Sequence, residues 1–212
     1  MLDWYPAAQR DHGPANKTGG YGFVEPSIKV GIVAHSAEGS LQAALNVLAT
    51  GPTSWHFTNP KSGGLLQHYQ VGMHCWASGG PHANVPYVAI EHEGKAGEPL
   101  TDSQTDNLVS LIRWLADGFS WFNPSRPLNS DDLGAELYEH REMVRFGSSP
   151  TACPSGRIPW PTILAKLSAP PLPSVERVLQ ALQAALATTW TFQDFDHVPP
   201  HDRDVIRQIL KL

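Results

Sequence analysis

The sequence predicts an α/β fold, strands and helices alternating in one domain followed by a short helical tail, and three observations carry that prediction. Apolar runs at Ile28–Ala34 and Tyr87–Glu91 read as buried strands. Each is followed by a segment whose apolar residues recur at helical spacing. The proline-rich string SAPPLPS at 168–174 then sets apart a last segment with helical spacing of its own.

Taken in order, residues 1–26 are rich in Gly, Pro and polar groups and read as a loop-like wrap. After the first strand, AHSAEGS breaks the apolar pattern, and Leu41, Ala44, Leu45 and Leu48 mark a helix that ends at Gly51, a natural C-cap. Ser54–Thr58 and Leu65–Val71 read as strands joined by hairpin-turn chemistry in NPKSGG. Thr101 and Gln104 form a capping box, and Leu108, Leu111, Ile112 and Leu115 share one face, so the spacing predicts a helix over 101–117. Residues 118–132 read as an aromatic loop and 133–166 as irregular, with a short helix near Pro161–Leu167. The expected organisation is a domain at 1–168, a linker at 169–174 and a helical extension at 175–212.

Composition narrows the function. The chain has 212 residues, 41% of them hydrophobic, enough to bury the core of one ordinary domain. A formal net charge of -5 argues against nucleic acid as a partner, because phosphate recognition leaves an excess of Lys and Arg. No apolar stretch approaches the roughly 20 residues that span a bilayer, and MLDWYPAAQRDHG lacks a basic region followed by an apolar one, so the expected product is a soluble, cytoplasmically made protein. Two cysteines, Cys75 and Cys153, are too few for a disulfide framework, and ten histidines direct attention to metal chemistry.

A catalytic zinc site takes three protein ligands and leaves a position for water. His35 closes the first predicted strand, where α/β folds present side chains to a crevice; His140 lies in YEHREM and Cys153 in TACPSG. These spacings match neither a zinc finger nor H-E-x-x-H on one helix. On spacing alone, paired or exposed histidines and a small buried Cys153 account for them as well.

The ordered segments VAHSAEGS, SWHFTNPKSGGLLQHYQ, HCWASGG, VAIEHEG, LTDSQ, EHRE and TACP, over about residues 20–165, resemble the zinc-dependent N-acetylmuramoyl-L-alanine amidases, which share a fold with peptidoglycan recognition proteins. The resemblance implies a central mixed sheet flanked by helices, and Zn2+ held by His35, His140 and Cys153. It implies Glu91 of VAIEHEG as the general base, although Glu93 lies on the same strand face. Three departures concern the electrostatics. Trp55 stands where many relatives have Tyr, Thr151 where many have an oxyanion-stabilising Lys, and Trp76-Ala77-Ser78-Gly79 where W-H-x-G is frequent.

The implied activity is hydrolysis of the amide between N-acetylmuramic acid and L-alanine of the stem peptide, with Thr151 assisting at the oxyanion and Trp55 and Trp76 lining the substrate groove. For His56, hydrogen bonding to substrate and simple filling of space both stand. His68, His74, His82 and His92 read as surface or groove residues and Cys75 as buried and inert. The partner is peptidoglycan and the setting a phage endolysin that reaches the wall after release. The alternatives are a cytosolic wall-recycling amidase, a non-catalytic peptidoglycan-binding module, and a thiol hydrolase with Cys153 as nucleophile and His140 as its base.

Overall fold

In a computed structural model the described residues are 4–19, 29–119 and 136–169, together with Phe122, Pro124 and Arg126. The chain divides into two compact units, Met1–Ser168 and Ala169–Leu212, and the sheet with its flanking helices belongs to the first. The expected helical extension, Trp121 and all of the expected linker beyond Ala169 lie outside the described residues.

Six strands form one sheet: β1 (Gln9–Arg10), β2 (Gly31–Ser36), β3 (Phe57–Asn59), β4 (Leu66–Gln67), β5 (Tyr87–His92) and β6 (Leu137–Glu139). They lie in the order β1-β4-β3-β5-β2-β6, with β3 and β4 antiparallel and the other neighbouring pairs parallel. The sheet is therefore mixed and flanked by helices, as expected. Among the described residues four α-helices accompany it, α1 (Leu41–Thr50), α2 (Pro81–Asn84), α3 (Asp102–Gly118) and α4 (Trp160–Ser168). Among the described residues no helix is long and apolar enough to cross a membrane.

The two long strands are apolar on both faces because both are covered. Ile32, Ala34, Val88 and Ile90, with Phe57 and Leu137, pack against Leu108, Leu111, Ile112 and Leu115 of α3 and Trp160 and Ile163 of α4. On the opposite face Ala89 joins Ala44 and Leu48 of α1, Trp55 and Tyr69, while Val33 meets Ala83, Tyr138 and Met143. Helix α3 begins with the capping box read from the sequence, Thr101 accepting from the Gln104 N–H and Gln104 accepting from that of Thr101.

Two expectations needed correction. The N-terminal wrap contributes β1, which lies parallel to β4 at the sheet edge. The region read as irregular supplies β6, three residues paired with Ile32–Ala34, and then a 3-10 helix at His140–Phe146. Both strands are too short to show a period of two.

Candidate active site

Side chains alternate between the faces of a strand, and the register of β2 on β5 sets His35 directly beside Glu91 and Ser36 beside His92. His35 and Glu91 therefore point away from α3, at the carboxyl ends of adjacent parallel strands. His140, immediately after β6, comes to the same side, its ring centroid 4.5 Å from that of His35. Cys153 arrives from the loop before α4, where its carbonyl accepts from the Arg141 N–H at 2.8 Å and its Sγ accepts from the Ser36 N–H at 3.1 Å. One donor atom each from His35, His140 and Cys153 then lies within 4.8 Å of the others.

Burial sets the charge states. It holds His35 well below the usual histidine range, with His140 and His92 adding in the same direction, and it lowers His140 too. Both imidazoles are neutral, the form that ligates a metal. Burial pushes the Cys153 thiol up to about 12, opposed by the Ser36 N–H.

Glu91 has its Oε1 3.9 Å from His35 Nδ1 and is 15% exposed. Burial raises its carboxyl to about 8, opposed by Arg157 and reinforced by Glu38. Its Oε2 has no hydrogen-bond partner among the described residues. Glu93, its neighbour on the same face, is committed elsewhere: its carboxylate accepts the backbone N–H of Leu41 at 3.0 Å and of Lys61 at 2.8 Å. Of the two acids, Glu91 is the one beside the His35 ring with an uncommitted oxygen.

Beside this cluster lies a groove of about 680 Å³, lined by His140, Thr151, Trp76, Pro81 and Asn84 among others. None of its described lining residues carries a formal charge. The Trp76 indole donates to the Gly19 carbonyl at 3.1 Å, and the Thr151 hydroxyl accepts from the Cys153 N–H at 3.1 Å.

Trp55, read as a groove contact, sits elsewhere, and His56 takes the space-filling one of the two readings left open. Trp55 is 3% exposed, packed with Ala44 and Leu48, and its indole donates to Thr58 Oγ1 at 2.8 Å. His56 is fully buried; Ala89 N–H donates to its Nδ1 at 3.0 Å and its Nε2 donates to the Met73 carbonyl at 2.8 Å, so it fills the interior with both nitrogens used. His68, His74 and His92 are also buried rather than at the surface or in the groove. Cys75 is buried, its thiol raised to about 12 by that burial with Lys29 opposing.

Two contributors went unread in the sequence. Arg157, buried four residues after Cys153, donates to Ser36 Oγ and to the carbonyls of His92, Glu93 and Glu98, tying together the ends of β2 and β5. Ser78 touches the His35 ring. Only a knowledge of which strands are neighbours makes either visible, although a cation so close to the third expected ligand was a signal available in the sequence.

Two imidazoles and a thiol that could hold a metal ion meet at this sheet end beside a carboxyl, and comparison supplies the family. The chain belongs to the N-acetylmuramoyl-L-alanine amidases, whose family model matches residues 25–156. No curated protein matches it in sequence. In structure it is similar to the N-acetylmuramoyl-L-alanine amidase LysC from Clostridium intestinale URNW, at 19% identity and a TM-score of 0.54, over 78% of this chain and 100% of that one. It is similar to an AmpD derivative at 17% identity and a TM-score of 0.55, over 79% and 99% of the two chains. A mutant endolysin from Bacillus subtilis gives 20% identity and a TM-score of 0.54, over 76% and 98%. These three likenesses show a shared fold.

Proposed function

We propose that the chain is a zinc-dependent peptidoglycan hydrolase that cuts the amide between N-acetylmuramic acid and the L-alanine of the stem peptide. The observation that carries the reading is the meeting of His35, His140 and Cys153 beside Glu91 in a member of the amidase family. The donor set suits zinc: two imidazoles and a thiol with their ligand atoms all within 4.8 Å of one another, which draw together to about 3.3–3.8 Å when tetrahedral bonds of about 2.0–2.3 Å form. His35, His140 and Cys153 would hold the ion, which supplies polarisation of the scissile carbonyl and a lowered pKa for water.

The chain's own residues do the rest. Glu91, buried and with one oxygen uncommitted, takes the proton of the attacking water and returns it to the departing alanine nitrogen. Burial moves its carboxyl up from the ordinary carboxylate range, the direction that suits a group acting first as base and then as acid. The Thr151 hydroxyl, which accepts from Cys153 N–H, keeps its own proton for the developing oxyanion. Trp76 offers an aromatic face to a sugar ring in a groove without formal charge.

A thiol hydrolase needs a thiolate at working pH, whereas burial drives Cys153 the other way. Chelation separates the two. EDTA should abolish activity on purified peptidoglycan and added zinc restore it, with new L-alanine amino termini as product. Persistence of activity in EDTA, or new reducing ends instead of amino termini, overturns the reading.

We assign the biological setting to lysis of the bacterial wall by a phage, supported by the endolysins among the similar structures. Such an enzyme cleaves intact sacculi. A recycling amidase would release peptide only from soluble muropeptides, and that result would reverse the assignment.

A further inference from the structure

We infer that Ser78 is a positioning residue that fixes the ring of His35 and thereby decides which of its nitrogens the metal centre receives. This rests on the zinc reading above.

The His35 ring has Ser78 within hydrogen-bond reach of one nitrogen and Glu91 facing the other. Its Nδ1 lies 3.9 Å from Glu91 Oε1, on the side of the proposed base, and its Nε2 lies 3.3 Å from Ser78 Oγ. A neutral imidazole carries one ring hydrogen, and the hydrogen bond made by one nitrogen sets the role of the other. With Nε2–H donating to Ser78, Nδ1 keeps its lone pair and faces Glu91. That is the arrangement a ligand on this side of the ring requires, and outer hydrogen bonds of this kind orient metal-binding histidines.

Ser78 is itself held. Its N–H donates to Asn84 Oδ1 at 2.7 Å, alongside that of Ala77 at 3.1 Å, and its carbonyl accepts from the Ser148 hydroxyl. Ser78 is 1% exposed and Ser148 6% exposed, so water does not compete for these bonds. Gly79 follows with φ of 88°, a left-handed backbone that turns the chain away at once. A backbone held at both its amide and its carbonyl leaves only χ1 to move the hydroxyl, which in this structure is turned to His35 Nε2. Ser148 also begins the loop that leads through Thr151 to Cys153, so the clamp joins the element beside the first ligand to the one that brings the third.

The test uses full-length protein, metal-free and zinc-loaded. In the metal-free wild type, nitrogen NMR should show His35 protonated at Nε2, and Ser78→Ala should lose that single tautomer. Zinc affinity, read by competition with a chromophoric chelator, should fall about tenfold or more in Ser78→Ala and by less in Ser148→Ala. Thermal unfolding of the metal-free proteins should shift little. Unchanged zinc affinity in Ser78→Ala, or a His35 protonated at Nδ1 in the wild type, overturns the inference while leaving the zinc reading intact. A metal-free Ser78→Ala as destabilised as its zinc binding is weakened overturns it too, since that is a merely structural role. A wild type that binds no zinc fails the zinc reading itself.

Discussion

The two faces of the sheet are built from the same strands and do different work. On the face covered by α3 and α4, Ile32, Ala34, Val88 and Ile90 enter a wholly apolar core. The polar residues at its far end, Asn59, His92, Gln104 and Arg157, bond to one another or to backbone. On the other face the strands start equally apolar, at Val33 and Ala89, and end in His35 and Glu91 beside an open groove. The residues that enter the core and those proposed for chemistry are adjacent in sequence and separated only by the pleat.

The sharpest way to test that division is one substitution on each face. Glu91→Gln should lower the rate on peptidoglycan about a hundredfold or more, while zinc content stays stoichiometric and unfolding is unchanged. Ile112→Ala should do the reverse. Ile112 is fully buried in the α3 core, and truncating it costs about 2–5 kcal/mol in chemical denaturation, with the folded protein keeping its zinc affinity and turnover. A large loss of turnover in folded Ile112→Ala would show that the faces are not separable.

The same division decides how much was legible in the sequence. Helix α3 could be read in full, because the Thr101/Gln104 box and the Leu108–Leu115 stripe are local signals. Strands β2 and β5 were legible as apolar runs, since burial on both faces leaves no polar residue inside them until the end. The candidate trio was not legible by spacing: His35 meets His140 and Cys153 only because β6 pairs with β2, and β6 is too short to announce itself. It was reached through resemblance. Trp55 was placed in the groove, and His56 left between groove and interior, because SWHFT gives no sign of which residues the neighbouring elements cover; α1 and the backbone of Ala89 decide that.

Acid should expose a smaller difference. Burial holds His92 down to about 3 and His56 well below its usual range, whereas in the unfolded chain each titrates near 6.5. The unfolded state therefore binds more protons below that value. Their contribution to stability is fully present above about pH 6.5 and is lost as pH falls below it, for His92 down toward 3, each residue costing up to about 1 kcal/mol per pH unit while its unfolded form is protonated and its folded form is not. Denaturation measured from pH 7.5 to 4.5 should show this slope, reduced in His92→Gln. Because His92 faces away from the groove, that variant should retain the rate of the wild type at neutral pH. An unchanged slope would mean His92 is not held neutral.

The smallest expected effect probes a place where the faces touch. Thr101 caps α3, and the Gln104 of its box also donates to the carbonyls of Asn59 and Glu93, the latter two residues beyond Glu91. Removing a cap costs about 1 kcal/mol, so Thr101→Ala should lower stability by that amount. If the box only starts the helix, turnover stays within about twofold, because Asn59 and Glu93 are also held by the sheet and by Arg157. A fall of tenfold in turnover, with zinc still bound, would show instead that the helix end sets the position of Glu91 through Gln104. The boundary between a stabilising face and a reactive one would then lie in that glutamine rather than in the pleat.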